Sequence, residues 1–162
     1  MDRPTAEALF QRHHLSVFRF LRRMTGDASL AEDIAQDVFV RVIRGLETYD
    51  ARDRDLAWLF RIARRLVADH ERDTRRRPAL VVDDRPRPAA SSAHLGIEID
   101  EALRVLPVEE REAFLLREQA GLGYEEIGAL TGATPDAVRN RIHRARLHLR
   151  AALGSALEEN TR

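Results

Sequence analysis

The C-terminal part of the chain contains residues 121–149, GLGYEEIGALTGATPDAVRNRIHRARLHL, and this stretch decides how that part folds. Residues 124–131 have the length of a short helix, and Gly132 with Ala133 interrupts it. Thr134 can accept a backbone N–H as a helix cap, and Pro135 suits the first position of the helix that follows. Two helices joined by a tight, glycine-containing turn predict a helix-turn-helix motif.

The second helix of this motif has two contrasting faces. Apolar residues at steps of four, three and four form one stripe: Val138, Ile142, Ala145 and Leu149. The opposite face carries Arg139, Asn140, Arg141, His143, Arg144 and Arg146. Arginine can hold guanine and asparagine can hold adenine with two hydrogen bonds each, while further cations bind phosphates. We therefore expect this helix to enter the major groove of DNA; a solvated arginine-rich helix is the alternative.

The rest of the chain also shows helical spacing, outside a central linker. The predicted inward-facing residues of the first helix are Phe10, His14, Val17, Leu21 and Met24, and Gly26 ends it. Ser29 and Glu32 form a capping-box pattern for the second helix, which is predicted to bury Ala31, Ala35, Val38, Val42 and Leu46. A third helix would bury Leu56, Leu59, Ala63, Leu66 and His70, and a helix over 109–119 would bury Ala113, Leu116 and Ala120.

Residues 78–97 carry three of the six prolines and no sustained apolar periodicity, which favours a flexible linker. The linker divides the chain into a domain over 1–77 and a domain over 98–162. With no alternating strand pattern of useful length, we predict an all-α protein of two small helical domains, the C-terminal one with the helix-turn-helix.

The charge of the chain is zero in total but segregated along its length. There are 27 basic residues, all arginine, against 27 acidic ones. Residues 61–77 carry seven arginines and three acids, residues 98–134 three and nine, and residues 135–162 six and three. Two basic stretches separated by an acidic one predict two places that contact a polyanion.

Several classes of protein are excluded by what the sequence lacks. No stretch approaches the roughly 18 uninterrupted apolar residues of a spanning helix, and the N-terminus has no signal-peptide apolar block. There is no cysteine, and no glycine-rich phosphate loop, metal-binding histidine pair or nucleophile with its base is visible. We therefore expect a cytoplasmic protein that is not an enzyme, with no cofactor, no metal, no membrane insertion and no small-molecule substrate.

Six motifs resemble extracytoplasmic-function (ECF) sigma factors of bacterial RNA polymerase. Residues 106–118 (LPVEEREAFLLRE), 121–127 (GLGYEEI) and 138–146 (VRNRIHRAR) resemble the fourth conserved region of that family. Residues 31–39 (AEDIAQDVF), 57–64 (AWLFRIAR) and 75–78 (RRRP) resemble its second region. The resemblance covers residues 7–77 and 98–153, with both regions in the family's order.

The resemblance implies partners and site residues. The C-terminal body would read the promoter −35 element with Arg139, Asn140, Arg141, His143 and Arg144. The N-terminal body would bind the −10 element with Tyr49, Trp58, Arg61, Arg65, Arg72, Arg75 and Arg76. Within that set, Tyr49 lies in the loop 47–54 and would stack on a base flipped from the melted strand. Core RNA polymerase would bind an acidic strip of Glu32, Asp33, Gln36 and Asp37, and an anti-sigma factor would be a further partner.

Other interpretations of these residues stay open. Trp58 can be a core anchor at a helix start as readily as a DNA contact. The acidic strip can be a plain solvated face. The whole chain can be a sigma-like decoy that binds an anti-sigma factor, or a stand-alone helix-turn-helix regulator, which would need a symmetric dimer and a palindromic site.

Overall fold

The computed structural model describes residues 4–49, 54–76 and 94–159, with side chains over 4–49, 54–76 and 99–154. These residues form seven α-helices and no strand: α1 (Ala6–Thr25), α2 (Ala28–Gly45), α3 (Asp55–Arg76), α4 (His94–Arg104), α5 (Val108–Glu118), α6 (Tyr124–Thr131) and α7 (Pro135–Glu159). A 3-10 turn at Leu46–Thr48 follows α2. The predicted all-α fold is confirmed.

Helices α1, α2 and α3 pack into an N-terminal body around aromatic rings. The rings of Phe20 and Phe60 meet edge to face with centroids 4.5 Å apart, a favourable geometry for aromatic pairs. Helix α1 begins at Thr5, whose hydroxyl accepts the N–H of Ala8 at 3.1 Å, and it ends at Gly26, which has a φ of +70°. That left-handed conformation favours glycine, so the predicted end of the first helix is confirmed.

The inward face of α1 differs from the prediction. Phe10 is 46% exposed and His14 is half-buried, whereas Leu9 and Phe20 are fully buried. Phe10 instead stacks on His14, at 4.7 Å between ring centroids, and meets the ring of Phe39 at its edge. The predicted stripe is confirmed in the second half of the helix, where Val17, Leu21 and Met24 are buried. In the first half, Leu9 is buried in place of Phe10.

Two further N-terminal predictions are wrong. The cap of α2 is Asp27, not Ser29, because its Oδ1 accepts the N–H groups of both Ser29 (2.9 Å) and Leu30 (3.2 Å). In α3 the imidazole of His70 is exposed, and the apolar Val67 one turn earlier is buried.

Helices α4 to α7 form the C-terminal body, and its core matches the predicted stripe of the last helix. All four stripe residues are buried, as are the three core residues predicted for the helix over 109–119: Val138, Ile142, Ala145, Leu149, Ala113, Leu116 and Ala120. The hydroxyl of Thr134 accepts the N–H of Ala137 at 3.2 Å, which confirms the predicted cap. The burial of one stripe fixes the opposite face of α7 towards solvent.

The turn between α6 and α7 depends on two glycines. Gly132 has a φ of +71°, and the N–H of Ala133 donates to the carbonyl of Gly128 at 3.1 Å. A Cβ atom on Gly128 would stand 2.5 Å from the carbonyl oxygen of Ala133, much closer than real Cβ contacts. Gly128 is therefore required by close approach and Gly132 by its dihedral angle.

The predicted linker over 78–97 lies mostly outside the described residues. Helix α4 begins at His94, so residues 94–97 are helical and the linker ends earlier than predicted. Among the helices that the structure describes, none combines the length and the apolar character needed to cross a membrane.

Polar contacts join the two bodies. Arg23 of α1 donates from Nε to Asp100 of α4 at 3.1 Å. Arg64 of α3 pairs with Glu112 of α5. Arg54 pairs with Glu126 and donates to the carbonyl of Gly121 at 2.9 Å.

We predict that Gly128→Ala destabilises the protein by about 2 kcal/mol or more, because the added methyl group forces the turn apart. Chemical denaturation followed by circular dichroism measures this loss. Gly154→Ala is the matched control, since a Cβ there meets nothing within 4 Å and its φ is not positive. An exposed helical glycine replaced by alanine should be neutral or slightly stabilising. Equal effects of the two substitutions would contradict the close-approach argument.

Candidate nucleic-acid interface

The outward face of α7 presents the predicted −35 residues at the surface. Arg139, Asn140, His143 and Arg144 are exposed, and Arg141 keeps 22% of its side chain exposed. Asn140 and His143 make no hydrogen bond or ion pair with the described part of the chain. The structure thus brings the five predicted residues onto one helix face and leaves polar groups there available to a ligand.

Acidic residues of α5 lie beside this cationic face. The carboxylate of Glu110 is 9% exposed, and it accepts from Arg144 Nε at 3.1 Å and contacts His148 Nδ1 at 3.0 Å. Arg141 lies 3.9 Å from Glu109. Because a buried carboxylate needs partners, Arg144 and His148 hold α7 against α5.

Glu110 and His148 were missed in the sequence. Glu110 is one of several acids in the stretch 109–118 and looks like a solvated residue there. Its pairing with α7 spans 34 and 38 residues, so no local pattern marks it. Arg144, predicted only as a DNA contact, therefore also has a structural task.

The second cationic face belongs to α3. Arg61, Arg65, Arg72, Arg75 and Arg76 are all exposed, as a phosphate-binding surface requires. Arg72 pairs with Asp69 on the same helix. The helix therefore offers a row of cations from its second turn to its C-terminal end.

Trp58 and Tyr49 pack against each other beside the start of α3. The two rings meet edge to face with centroids 4.9 Å apart, and Trp58 is half-buried against the core. Tyr49 is only 5% exposed. The prediction that Tyr49 offers a surface for a flipped base is corrected, because in this conformation its ring is covered. Residues 50–53 of the predicted base-accepting loop lie outside the described residues.

Asp55 links Tyr49 to α1. The hydroxyl of Tyr49 donates to Asp55 Oδ1, while Oδ2 lies 3.3 Å from His13 Nε2 and 3.6 Å from Arg12 Nη1. Burial alone would raise the pKa of Asp55, but the hydrogen bonds from Tyr49 and His13 and the charges of His13 and Arg12 outweigh it and lower that pKa. An ionised Asp55 thus ties α1 and the end of the 3-10 turn to the start of α3.

The predicted acidic strip is exposed on α2. Glu32, Asp33, Gln36 and Asp37 all face solvent. Farther along the same helix, Val40 and Ile43 are also exposed, Ile43 by 65%. The strip therefore continues into apolar surface, a feature that the sequence pattern did not reveal.

Within the described ranges, no group of three histidine, aspartate or glutamate side chains is placed to hold a metal ion. Two exposed helix faces, on α3 and α7, are cationic, and a third, on α2, is acidic and apolar.

Comparisons with known proteins agree with this geometry. A model of sigma-70 region 2 matches residues 9–77, and a model of sigma-70 region 4 matches residues 96–149. The RNA polymerase sigma factor CarQ of Myxococcus xanthus is 38% identical over 154 residues, covering 91% of this chain and 88% of CarQ. The ECF RNA polymerase sigma factor SigC of Mycobacterium tuberculosis is 33% identical, covering 86% of this chain and 78% of SigC.

Another relative is longer than this chain. The ECF RNA polymerase sigma factor SigE of Mycolicibacterium smegmatis is 35% identical over 96% of this chain, and the match spans 64% of SigE.

Two solved structures are similar in fold. The sigma factor RpoE, in complex with the anti-sigma factor NepR from Bartonella quintana, has a TM-score of 0.76 at 22% identity and covers 91% of this chain and 96% of RpoE. CnrH, in complex with the cytosolic domain of CnrY, has a TM-score of 0.66 at 28% identity and covers 93% of this chain and 88% of CnrH.

We predict that Tyr49→Phe destabilises the protein by about 1–2 kcal/mol at neutral pH, because the ring is kept but the hydrogen bond to an ionised carboxylate is lost. The lowered pKa of Asp55 sets the pH dependence. The stabilisation is fully present above the unfolded value of 3.8 and is lost as pH falls through the lower folded value. Urea unfolding at a series of pH values measures the difference between wild type and variant.

Tyr124→Phe is the matched control, since the hydroxyl of this half-buried tyrosine has no hydrogen-bond partner among the described residues. It should leave stability nearly unchanged at every pH. A loss from Tyr49→Phe that stayed constant from neutral to acid pH would show that the hydroxyl does not act through the charge of Asp55.

Proposed function

Because the chain belongs to the ECF family of RNA polymerase sigma factors, we propose that it binds core RNA polymerase, directs it to promoters and helps to open the duplex there. The observation that carries the proposal is the presence of two cationic helix faces, one on α3 and one on α7, in separate bodies. A factor that contacts two separated promoter elements needs two such faces, whereas a simple regulator needs one.

The −35 element is assigned to α7. Arg139, Asn140, Arg141 and His143 are proposed to reach base edges and phosphates in the major groove. Arg144 is proposed to contribute a phosphate contact while its Nε holds Glu110. The amide of Asn140 is exposed and has no partner among the described residues, which supports direct reading of a base.

The −10 element is assigned to α3. Single-stranded DNA is bound by rows of cations together with aromatic rings on which bases stack. The cations are Arg61, Arg65, Arg72, Arg75 and Arg76, and the ring is the half-exposed Trp58. Tyr49 is proposed to pack against Trp58 and hold it in place instead of touching a base. Its ring already contacts Trp58, and its hydroxyl donates to Asp55. The loop 47–54 remains the proposed pocket for a flipped base.

Core polymerase is assigned to the outward face of α2. Glu32, Asp33, Gln36 and Asp37 offer charge, and Val40 and Ile43 offer apolar area next to it. Protein interfaces combine an apolar centre with a polar rim, so this mixed surface fits a partner with both apolar and basic groups.

Control of the factor is assigned to an anti-sigma protein. CnrH was solved with a domain of another protein bound, and this supports a similar partner for a related fold. The chain itself is proposed to supply no catalytic group, because polymerase performs the chemistry. Its site of action would be the cytoplasm, where polymerase meets the genome.

Run-off transcription tests the proposed function. Purified chain and core polymerase together should start transcripts on some genomic promoter fragments, and neither should do so alone. The variant Asp33→Arg with Asp37→Arg should lose holoenzyme formation, because it reverses the charge of the acidic strip. Specific binding of the chain alone to a palindromic site, without transcripts, would indicate a stand-alone regulator. Binding to an anti-sigma protein without transcripts would indicate a decoy.

Arg141→Ala should weaken holoenzyme binding at the −35 element by about 1–3 kcal/mol if Arg141 reads a base. Binding to promoter fragments that differ at single −35 positions measures this loss. Arg150→Ala is the control on the same helix, because Arg150 is exposed and is not among the predicted DNA-contacting residues. An equal loss on every sequence would demote Arg141 to a phosphate contact.

A further inference from the structure

One aromatic ring lies against two guanidinium groups near the N-terminal end of α7, the helix that we assign to the −35 element. The ring belongs to Tyr124, the first residue of α6. The guanidinium carbon of Arg117 lies 4.9 Å from the ring centroid, and that of Arg139 lies 5.3 Å from it. Both distances are within the range of cation–π attraction. Three helices therefore meet at this ring: the end of α5, the start of α6 and the start of α7.

We propose that Tyr124 is a positioning residue that holds Arg139 ready to read the −35 element. The inference rests on the proposed function, because it concerns how one of the proposed reading residues is prepared for DNA. Tyr124 itself was not among the residues that the sequence singled out as a functional site.

Among the described residues, the charged partner of Arg139 is Asp136. Its side chain is 64% exposed, and its ion pair with Asp136 has a separation of 4.0 Å, with Asp136 exposed still more. Such a pair is screened by solvent and does not fix a long side chain. The ring of Tyr124 is thus the contact that limits the rotamers of Arg139 before DNA arrives.

The cation–π contact has a chemical advantage over an ion pair for a reading residue. A guanidinium group carries five N–H donors, and a carboxylate partner occupies some of them. An aromatic ring attracts the cation without accepting a conventional hydrogen bond, so the donors of Arg139 stay available for guanine O6 and N7. Arg144 shows the contrast, because its Nε is already committed to Glu110.

Arg117 completes the arrangement. Its Nη1 donates to the carbonyl of Leu122 at 3.0 Å, which anchors this guanidinium to the turn that precedes α6. The guanidinium groups of Arg117 and Arg139 repel each other at this ring, and Arg117 is fixed by its hydrogen bond to Leu122. The repulsion therefore limits how far Arg139 can turn back towards α5.

The test compares aromatic and aliphatic residues at position 124 in the reconstituted holoenzyme. Promoter fragments randomised over the −35 element are selected by binding, and the sequence preference is read by sequencing. Tyr124→Phe should keep the wild-type preference. Tyr124→Leu and Tyr124→Met should reduce the preference by about two- to tenfold, the range expected when a side chain must be ordered on binding. The reduction should fall on the base positions that Arg139→Ala affects.

A double variant separates positioning from general damage. If Tyr124 acts through Arg139, Tyr124→Leu combined with Arg139→Ala should show the preference of Arg139→Ala alone. Thermal unfolding of each variant checks that the body remains folded, and two aliphatic replacements are used so that one informative variant remains if the other unfolds.

Three results would overturn the inference. The first is an unchanged preference in a folded Tyr124→Leu or Tyr124→Met variant. The second is a loss in Tyr124→Phe as large as in the aliphatic variants, which would assign the role to the hydroxyl. The third is a uniform loss of affinity over all sequences. A wild-type holoenzyme that starts no transcript overturns the proposed function itself, whereas the other results leave that function standing.

Discussion

The direction of α7, the helix assigned to the −35 element, depends on how closely α6 approaches the turn before α7 at Gly128. Only a hydrogen atom fits between this residue and the carbonyl of Ala133, and the same carbonyl belongs to the turn that reverses the chain. Gly132 closes α6 in a left-handed conformation, and Thr134 opens α7 with its hydroxyl cap. With both ends of the turn fixed, burial of one apolar stripe leaves a single orientation for the opposite face. The absence of a side chain at Gly128 thus determines the direction in which the arginines of α7 face.

The neutral total charge of the chain conceals a division of labour among its charged residues. Acids of α5 lie against the cations of α7, and the buried Glu110 binds two of them. At distances beyond a Debye length of about 10 Å, the negative charges of α5 largely cancel the positive charges of α7. The long-range attraction of this surface to DNA is therefore small. At contact distance the donors of Arg139 and the amide of Asn140 still face outward. Such a surface is best used when another molecule brings it to its target, as a polymerase would.

Local features were predictable from the sequence and long-range ones were not. The stripe of α7, the cap at Thr134 and the end of α1 at Gly26 follow from spacing and residue type within a few positions. The burial of Leu9 in place of Phe10 depends on which groups the neighbouring helices offer. Tyr49 has an aromatic ring on which a base could stack, so the sequence suggested an exposed role. Its burial depends on Trp58 and Asp55, which belong to another element. One of them, Asp55, is itself bound to His13 across 42 positions of sequence.

The contact between the two bodies is partly polar and partly apolar, since the buried apolar residues of both bodies belong to one cluster. Arg23 with Asp100 is a partly exposed ion pair, which contributes little to stability in water. Arg64 pairs with the buried carboxylate of Glu112, so removing Arg64 would leave that charge without this partner. The apolar part of this contact can be opened at small cost only if other apolar surface replaces it. An ion pair can instead be exchanged for a phosphate or for a charged side chain of a partner at small net cost. Arg64 lies between Arg61 and Arg65 in α3, the helix that we assign to DNA. Glu112 therefore occupies an arginine that a DNA phosphate could otherwise bind. A rise in salt is therefore expected to weaken the exposed ion pairs between the bodies in the free protein, while the apolar part of the contact remains.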